Sequence, residues 1–537
     1  MSRKLLSVLV LFFFLASAPF LFSQPKVLTI LHTNDTHSCL FPLGPLDSLG
    51  GIARMSTLIK QLKAKDTNVL TLNAGDVFVG TFEFNKYLGY PELKLMEGLY
   101  DAMELGNHEF DLGPAALGGI LSGVIPGKTP IMMPILCANL DPINTPSDLY
   151  ALVMPNLIKD VGKGGNTIKV GIFGVLNASP QNYQPDVLAF LTDPIEAAKE
   201  QVAYLQAAGC QVIICLSHLG LMTDANTDPA AGLAGVDGID IIVGGHSQDA
   251  LFDPVFAGGK IIVQAGDFGR FLGELKVNVK EAGGVEFSDY KLHRVDRRIR
   301  KDPRLLWTLN MLRVGLVTDP RFGPVISRSV ARADWDMERA FPDDQPTFRD
   351  TAVGNLVSDA LRWGLGKARL DVDVVLEALG YIGSKIYKGK IVGNDVMRVV
   401  PYGYDETSGL GFKIVIVELT GAQLWGGLEY SVQYVPYTYD LAIQPSGLTF
   451  EYNSQNPPGS RVLWININGS FVDPFDPDTK YKVAVNELVY NALKILDPSI
   501  TKTDTGLFEY NLVRNYMKKL IHVGYTAEGR VVDSGIQ

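Results

Sequence analysis

Short apolar segments alternate with amphipathic segments along the first half of the chain. Six apolar runs have the length and composition of β-strands: KVLTILHTN, NVLTLNAG, PIMMPILCAN, TIKVGIFGV, QVIICLS and IDIIVGG. Polar and amphipathic stretches separate these runs. The alternation over residues 26–280 is typical of α/β architecture, in which helices cover the faces of a largely parallel sheet.

Two helices can be located from their spacing and their ends. Apolar residues recur at helical spacing over residues 52–62, so a helix is predicted to begin near Gly51. A second helix is predicted from Asp193, because this side chain can cap the helix and Pro194 suits the first helical position. Gly209 is predicted to end it, since glycine readily adopts the left-handed conformation that follows a helix.

The chain changes character after this α/β half. Residues 291–345 combine a charged, partly helical stretch with a segment that carries Pro, Gly and Asp, so they are predicted to connect two domains. A second region of α/β or α+β character follows over residues 346–537. The predicted organisation is a leader over residues 1–23, an N-terminal domain over 24–290, the connection, and a C-terminal domain.

The first 23 residues have the pattern of a secretory signal peptide. Arg3 and Lys4 precede an apolar run, and the small residues 16–18 offer a cleavage site. An uncleaved anchor helix is the alternative, since the apolar stretch continues to Phe22. Pro19 and the small residues favour cleavage, so we expect a periplasmic or secreted protein without a stable membrane anchor.

Composition and charge narrow the classes of partner. Hydrophobic residues make up 47% of the chain and charged residues 20%, as in ordinary globular proteins. The formal net charge of -10 argues against binding to a nucleic-acid backbone, which depends on lysine and arginine. An anion would be repelled by this net negative charge, so its binding site would need local positive charge. A bound metal ion provides such a charge.

Side chains that can bind metals follow the predicted strands. Ligands in open α/β sheets gather at the carboxyl ends of the strands, so these side chains are expected to meet at one edge. Asp35 and His37 lie two residues apart on extended chain and can face the same ion. The candidate ligands are Asp35, His37, Asp76, Asn107, His218, His246 and Gln248.

This inventory suits a pair of divalent metal ions such as zinc or manganese. Carboxylate and imidazole groups are common ligands of both metals, and a carboxylate can bridge two ions. Taken singly, a histidine after a strand is more often a structural residue than a ligand. Four of the seven histidines of the chain nevertheless lie in these segments, which favours a common site; they are His37, His108, His218 and His246.

Six short motifs give a specific resemblance to a known family. ILHTNDTHS, GGIAR, AGDVFVGT, GNHEFDLG, LSHLG and GGHSQ resemble, in order, the metallophosphoesterase domain of the 5'-nucleotidase and UDP-sugar hydrolase family. The resemblance implies a four-layer α/β/β/α sandwich, followed by a second α/β or α+β domain that binds the substrate.

The resemblance also implies roles for individual residues. One metal ion would be held by Asp35, His37, Asp76 and Gln248, and the other by Asp76, Asn107, His218 and His246. Asp76 would bridge the two ions. His108 would be catalytic and paired with Asp111, because a protonated imidazole can stabilise the negative charge that develops on phosphoryl oxygens.

The C-terminal region resembles the substrate-binding domain of the family less closely. FRDTAVGNLVSDAL and VVPYGYDE imply that Arg349 contacts an anion and that Tyr402 stacks on a base. Relatives carry Asn-Gly-Gly-Gly-Ile-Arg where this chain has Ala378–Gly383, so the Asn and Arg that contact substrate are missing. Relatives also carry Gly-Gly-Asp-Gly and an aromatic residue where this chain reads VYNALKILDPS, so the second wall of the base clamp is not evident.

The leading hypothesis is a metal-dependent phosphohydrolase for small molecules. It would cleave nucleoside 5'-monophosphates or nucleotide sugars, with a nucleotide as its partner and no nucleic acid. One alternative keeps the metal site but serves a different phosphoester, which the missing Asn and Arg favour. The other is an exported nucleotide- or metal-binding protein without turnover. The pairing of His108 with Asp111 argues against that one, since binding alone needs no such dyad.

The start of the mature chain tests the predicted signal peptide. We expect the mature chain to begin between residues 19 and 25, because the small-residue sites precede Gln24. N-terminal sequencing of protein from the native host measures this start. Cytosolic protein with Met1 intact would contradict the prediction.

Overall fold

The computed structural model describes residues 26–535, except for residues 45–47, 125–126, 180–181, 184, 222–225, 340–347 and 436–439. The predicted signal peptide over residues 1–23 lies outside the described residues. Within the described part, every helix is too short or too polar to span a bilayer.

Two six-stranded sheets form the centre of the N-terminal domain. Their strands are β1 (Lys26–Thr33), β2 (Val69–Asn73), β3 (Ala102–Glu104), β4 (Ile135–Leu136), β5 (Asn156–Val161), β6 (Ile168–Leu176), β7 (Val212–His218), β8 (Ile241–Gly244), β9 (Val255–Ala257), β10 (Lys260–Val263), β11 (Phe271–Val279) and β12 (Val285–Arg294). The strand order is β12-β11-β1-β2-β3-β4 in the first sheet and β5-β6-β7-β8-β10-β9 in the second. β1, β2, β3 and β4 pair in parallel, as do β6, β7, β8 and β10.

Helices cover the outer faces of both sheets. They are α1 (Ile52–Lys63), α2 (Phe82–Tyr87), α3 (Tyr90–Met96), α4 (Pro114–Ser122), α5 (Ser147–Tyr150), α6 (Pro185–Leu188) and α7 (Pro194–Ala207), followed by α8 (Pro303–Thr318) in the predicted connection. Leu28, Leu70 and Ile172 belong to one buried cluster between the sheets. Separate clusters join Ile59 of α1 to the first sheet and Val202 of α7 to the second. The predicted four-layer α/β/β/α sandwich is therefore confirmed.

The two helices located from sequence begin where their ends predict. α1 follows Gly51, whose φ of 91° suits glycine, and α7 follows Asp193. The Asp193 carboxylate accepts hydrogen bonds from the backbone N–H of Ile195 and Glu196, at 2.8 and 3.1 Å. The predicted strand PIMMPILCAN is wrong in extent, because only Ile135–Leu136 pairs with a neighbouring strand.

The C-terminal domain is a second mixed α/β unit, and its sheets include one strand, Ser329–Ala333, from the predicted connection over residues 291–345. Its elements are β13 (Ser329–Ala333), α9 (Ala352–Lys367), β14 (Val374–Ala378), β15 (Gly389–Val392), α10 (Gly393–Val399), β16 (Lys413–Thr420), α11 (Gly421–Val432), β17 (Ile443–Ser446), β18 (Leu448–Tyr452), β19 (Val462–Ile467), β20 (Ser470–Phe471), β21 (Lys480–Asn486), α12 (Glu487–Leu496), β22 (Lys502–Phe508), α13 (Glu509–Leu520), β23 (His522–Val523) and β24 (Val531–Asp533). The main sheet has the order β17-β14-β21-β16-β22, and smaller sheets have the orders β20-β19-β18-β24 and β15-β13-β23.

The short helix α2 joins the two domains. It belongs to the N-terminal domain by chain order, but the Phe82 ring is fully buried in the hydrophobic cluster of the C-terminal domain. Its centroid lies 5.1 Å from that of Phe322 and 5.3 Å from that of Tyr510. One turn later, Asn85 donates a hydrogen bond of 2.8 Å to the Gly409 carbonyl. These contacts fix the C-terminal domain against the N-terminal domain.

Candidate metal centre

Two clusters of buried ligand atoms overlap at one residue. Asp35, His37 and Asp76 form the first cluster, and Asp76, His218 and His246 form the second. Within each cluster the ligand atoms lie within 4.8 Å of one another. Asp76 belongs to both, so a single carboxylate reaches both sets of donors.

The two amide residues each join one cluster. The Gln248 Nε2 atom lies 2.9 Å from the His37 Nε2 atom, and the Asn107 Oδ1 atom lies 3.0 Å from the His246 Nδ1 atom. The structure thus brings together all seven side chains that the sequence proposes as ligands. Each amide lies beside the histidine of the set that the resemblance implies for it.

The ligands lie just beyond the carboxyl ends of their strands, on a tightly turned backbone. His218 is the last residue of β7, and Asp35 lies two residues after β1. Left-handed φ angles are uncommon for residues other than glycine and concentrate at functional sites. Five candidate ligands have such angles: Asp35 (48°), His37 (45°), Asp76 (54°), His246 (74°) and Gln248 (62°).

Two glycines make room for the crowded centre. Gly75 has a φ of 87°, and a Cβ there would lie 2.6 Å from the His218 Nδ1 atom. A Cβ at Gly106 would collide with the Asp76 carboxylate. The AGDVFVGT and GNHEFDLG motifs therefore need glycine beside Asp76 because the backbone and the ligands approach so closely.

Glu109 holds two of the ligand loops and was missed at the level of sequence. Its buried carboxylate accepts hydrogen bonds from the backbone N–H of Asp76 (3.1 Å), Val77 (2.8 Å), Phe78 (2.9 Å) and Gly106 (2.6 Å). Burial, together with the charge of Asp76, raises the pKa of Glu109 to about 7. Its position three residues after Gly106, as in a capping box, is the signal that could have identified it.

Secondary contacts orient the histidines. The His218 Nδ1 atom lies 2.7 Å from the Ala74 carbonyl oxygen, which leaves Nε2 facing Asp76 Oδ2 at 3.1 Å. Burial alone would lower the pKa of His218, but the charge of Asp76 outweighs it and raises this pKa to about 9. Burial lowers the pKa of His37 to about 4, which suits a neutral ligand.

The charge balance of the centre suits a cation. Burial raises the pKa of Asp35 well above its usual value, and repulsion from Asp76 adds to this. Among the described residues, the ion pairs of these two carboxylates are with histidines and none is with lysine or arginine. A buried carboxylate is costly unless it is paired, hydrogen-bonded or bound to a metal, so this oxygen and nitrogen donor set fits divalent metal ions.

His108 stands at the open side of the centre. Its Nδ1 atom lies 3.1 Å from both carboxylate oxygens of Asp111, and its backbone N–H donates to Asp76 Oδ1 at 3.0 Å. Burial alone would lower the pKa of His108, but the charges of Asp111 and Asp76 outweigh it and raise this pKa to about 10. The His108 side chain is 16% exposed, whereas those of His37 and His218 are 3% and 0% exposed.

The two residues proposed for substrate binding lie in different settings. The Tyr402 ring stacks on His108, with centroids 4.8 Å apart and planes at 13°, and the residue is 7% exposed. His108 covers one face of the Tyr402 ring, so a base could stack on that face only if this contact opened. Arg349 is exposed just before α9, and its carbonyl accepts a hydrogen bond of 3.3 Å from Gln444. Both roles stay predictions.

The fold and the centre together define a metallophosphoesterase. Residues 28–249 match the family described as calcineurin-like phosphoesterase, and residues 329–493 match the 5'-nucleotidase C-terminal domain. The chain belongs to the 5'-nucleotidase family, and it is a hydrolase of the class that acts on phosphoric ester bonds. This family membership implies divalent metal ions at the centre.

Relatives match along nearly the whole chain. The 5'-nucleotidase of Diplobatis ommata is 29% identical over 576 aligned positions, which cover 99% of this chain and 93% of that protein. The human 5'-nucleotidase is 28% identical, with 94% and 90% covered. The crystal structure of a 5'-nucleotidase precursor from Thermus thermophilus aligns with a TM-score of 0.78 and 28% identity, and the alignment covers 95% of this chain and 99% of that one.

The shared position of Asp76 predicts how metal content responds to substitution. Asp76→Ala should disturb both ligand clusters, since each loses a carboxylate oxygen. Gln248→Ala should be milder, because it removes one neutral donor beside His37. Metal content per chain, measured by mass spectrometry after dialysis, checks both variants.

A matched control separates this effect from general damage. Asp237→Ala removes an exposed carboxylate of the same domain and should leave the metal content unchanged. If Asp76→Ala keeps as much metal as Asp237→Ala, the shared-ligand assignment is wrong.

Proposed function

We propose that this protein is an exported, two-metal phosphohydrolase that acts on nucleoside 5'-monophosphates, nucleotide sugars or both. The observation that carries the proposal is the pair of ligand clusters that share Asp76, with the His108–Asp111 pair beside them. One set would be Asp35, His37, Asp76 and Gln248, and the other Asp76, Asn107, His218 and His246. Zinc and manganese both suit these donors.

The metal ions would supply the charge at the reacting phosphorus. When bound, two divalent ions polarise phosphoryl oxygens and lower the pKa of a neighbouring water towards neutral. The protein holds their ligands in place through Glu109 and through the Ala74 carbonyl, so that little reorganisation is needed during the reaction.

His108 would act on the phosphoryl group directly. Asp111 engages the Nδ1 atom, and no described residue hydrogen-bonds Nε2, so Nε2 can donate a hydrogen bond to a phosphoryl or leaving-group oxygen. The charge of Asp111 favours the protonated form of the ring and raises the pKa of His108 above its usual value. Stacking on Tyr402 fixes the plane of the ring, which limits the entropy lost on reaching the reactive geometry.

The relatives support a nucleotide substrate. The proteins that match nearly the whole chain, from Diplobatis ommata and from human, are both named 5'-nucleotidase. Contacts such as that of Phe82 hold the C-terminal domain against the N-terminal domain, as expected for a substrate bound between the two. Small nucleotides are therefore the first substrates to examine.

A second candidate is a phosphoester hydrolase with a rebuilt specificity domain. Ala378–Gly383 lies at the end of β14 and carries no amide or guanidinium side chain. The helix α12, Glu487–Leu496, stands where relatives have a glycine-rich aromatic segment. Tyr402 also has little exposed ring for a base. These features favour weak recognition of the base.

A substrate panel tests the reaction and its specificity. We expect hydrolysis of nitrophenyl phosphate and of AMP, UMP and GMP, with kcat/KM values for the three nucleotides within about tenfold of each other. The reason is that a base stacked on an aromatic residue contributes about 1–3 kcal/mol, and this chain has no evident clamp to provide it. The values are measured with Mn²⁺, Zn²⁺ or Co²⁺, and UDP-glucose is included.

Two other outcomes of the substrate panel would contradict these expectations. A preference for one base well above tenfold would contradict weak discrimination and would mean that other residues form a clamp. Failure to cleave any of the five compounds with any metal would contradict the proposed function.

His108 can be separated from metal binding. His108→Ala should keep the metals, because its backbone N–H still donates to Asp76 and its side chain belongs to neither ligand cluster. Turnover should fall by about 10²–10⁴, the usual contribution of a general acid or an oxyanion stabiliser. Single-turnover rates and metal content are measured on the same preparation.

A second histidine–carboxylate pair offers the control. His522 lies 2.8 Å from Asp334 and is 62% exposed on the C-terminal domain, so His522→Ala should not change turnover. Full activity in His108→Ala with its metals retained would refute the catalytic role.

A further inference from the structure

The helix α8 presents an apolar face to solvent. Trp307, Met311 and Val314 lie four and three residues apart, so they share one side of the helix. These residues are 73%, 48% and 50% exposed. Leu309 and Leu316 lie on the opposite side and are buried in two of the hydrophobic clusters. α8 therefore has two apolar faces, and the described residues cover only the inner one.

A strongly basic segment leads into this helix. Residues 291–313 contain eight lysines and arginines and two aspartates, in a chain whose formal net charge is -10. All eight of these cationic residues are exposed. Arg300 and Lys301 directly precede the helix cap, and Arg304 lies three residues before Trp307, so it borders the apolar face. The sequence thus places a cluster of cations beside an exposed apolar surface.

The acids of this region are covered, whereas its cations extend into solvent. The side chains of Asp302 and Asp319 are each 3% exposed, and that of Asp296 is 13% exposed. The side chain of Arg304, which pairs with Asp302, is 74% exposed. The neighbouring helix α1 contains no acidic residue, and Glu83 of the neighbouring helix α2 is buried. The surface around α8 is therefore positive in a protein that is negative overall.

Both ends of α8 are fixed to the N-terminal domain. The Asp302 carboxylate caps the helix by accepting a hydrogen bond of 3.0 Å from the backbone N–H of Arg304, and it accepts another of 2.8 Å from the Ser56 hydroxyl. At the other end, Lys86 donates a hydrogen bond of 2.6 Å to Asp319. The exposed face is thus formed before a partner arrives, which lowers the entropy cost of binding.

We propose that the exposed face of α8 and the basic segment before it bind the surface of an anionic lipid bilayer. A bilayer offers anionic head groups to Arg300, Lys301 and Arg304, and an apolar layer just below them to Trp307 and Met311. Tryptophan suits this boundary because its ring is apolar and its N–H is polar. The helix would lie along the surface, and the attachment would be reversible.

The same charges argue against other occupants of this face. A symmetric dimer would pair the face with itself, and the two basic segments would repel each other. A nucleic acid would match the cations, but it offers no apolar layer to Met311 and Val314. An anionic bilayer satisfies both the charge and the apolar side chains.

Binding to lipid vesicles tests the inference. Protein that lacks residues 1–23 is used, so that the apolar leader does not itself bind lipid. It is sedimented with vesicles of mixed phosphatidylglycerol and phosphatidylcholine, and with vesicles of phosphatidylcholine alone. We expect binding to the anionic vesicles in about 50 mM NaCl, and its loss in about 500 mM NaCl, where salt screens charges beyond about 4 Å. Neutral vesicles should bind little protein.

Two variants separate the apolar contribution from the electrostatic one. Trp307→Ser should weaken vesicle binding about tenfold or more, because a large apolar side chain is no longer buried in the bilayer. Lys301→Gln combined with Arg304→Gln should weaken it about 30-fold, the effect of two cations near an anionic surface. Both variants should keep the wild-type turnover of nitrophenyl phosphate in the absence of vesicles, which shows that the fold is intact.

Exposed residues elsewhere on the chain provide matched controls. Phe475 is 88% exposed, but Asp473 and Asp476 lie beside it in the sequence, so Phe475→Ser should not change vesicle binding. Lys388→Gln combined with Lys390→Gln changes the net charge by the same amount on the C-terminal domain, and it should bind vesicles as the wild type does.

Several outcomes would overturn the inference. These are no binding of the wild type to anionic vesicles, equal binding to neutral vesicles, or unchanged binding in both α8 variants. A concentration-dependent dimer that Trp307→Ser abolishes, without vesicle binding, would assign the face to a second copy of the chain. None of these outcomes bears on phosphoester hydrolysis, so the proposed function would stand without the membrane contact.

Discussion

The candidate metal centre of this protein depends on the carboxylate of Asp76. It belongs to both ligand clusters, so its position sets the distance between them. Glu109 fixes that position by accepting the backbone N–H groups on either side, and Gly106 leaves the space that the carboxylate occupies. One buried acid is thus held by another, and polar groups that are buried in this way need hydrogen-bond partners.

Much of the candidate centre could be predicted because the types of its side chains indicate metal binding directly. Carboxylates, histidines and amides recur after apolar runs, and strand ends in an open α/β sheet converge in space. The sandwich itself followed from the resemblance, and the helices at Gly51 and Asp193 followed from their spacing and caps. Helix spacing, helix caps and short motifs were sufficient wherever a single short segment determined the structure.

The rest depends on contacts between distant segments or on backbone geometry. β3 has three residues, too few to show a period, and it lies between β2 and the edge strand β4 of the first sheet. The left-handed backbone at Asp35 and Asp76 is imposed by the packing of several loops and has no residue signature. Arg339 meets Gln248 across 91 residues of sequence, and the stacking of Tyr402 on His108 joins the two domains. Such pairs become visible only when the domains are assembled.

The placement of Phe82 limits how either domain of this chain could be replaced by a foreign one. Its ring comes from the catalytic half of the chain but fills a socket between Phe322 and Tyr510 in the other half. A foreign N-terminal domain without a ring at the position of Phe82 would leave a void between Phe322 and Tyr510. Such a void would lower the free energy of unfolding by about 3–5 kcal/mol, the scale of a large-to-small substitution in a core. A chimeric protein would therefore be stably folded only if it kept Phe82 together with the rings of Phe322 and Tyr510 that contact it.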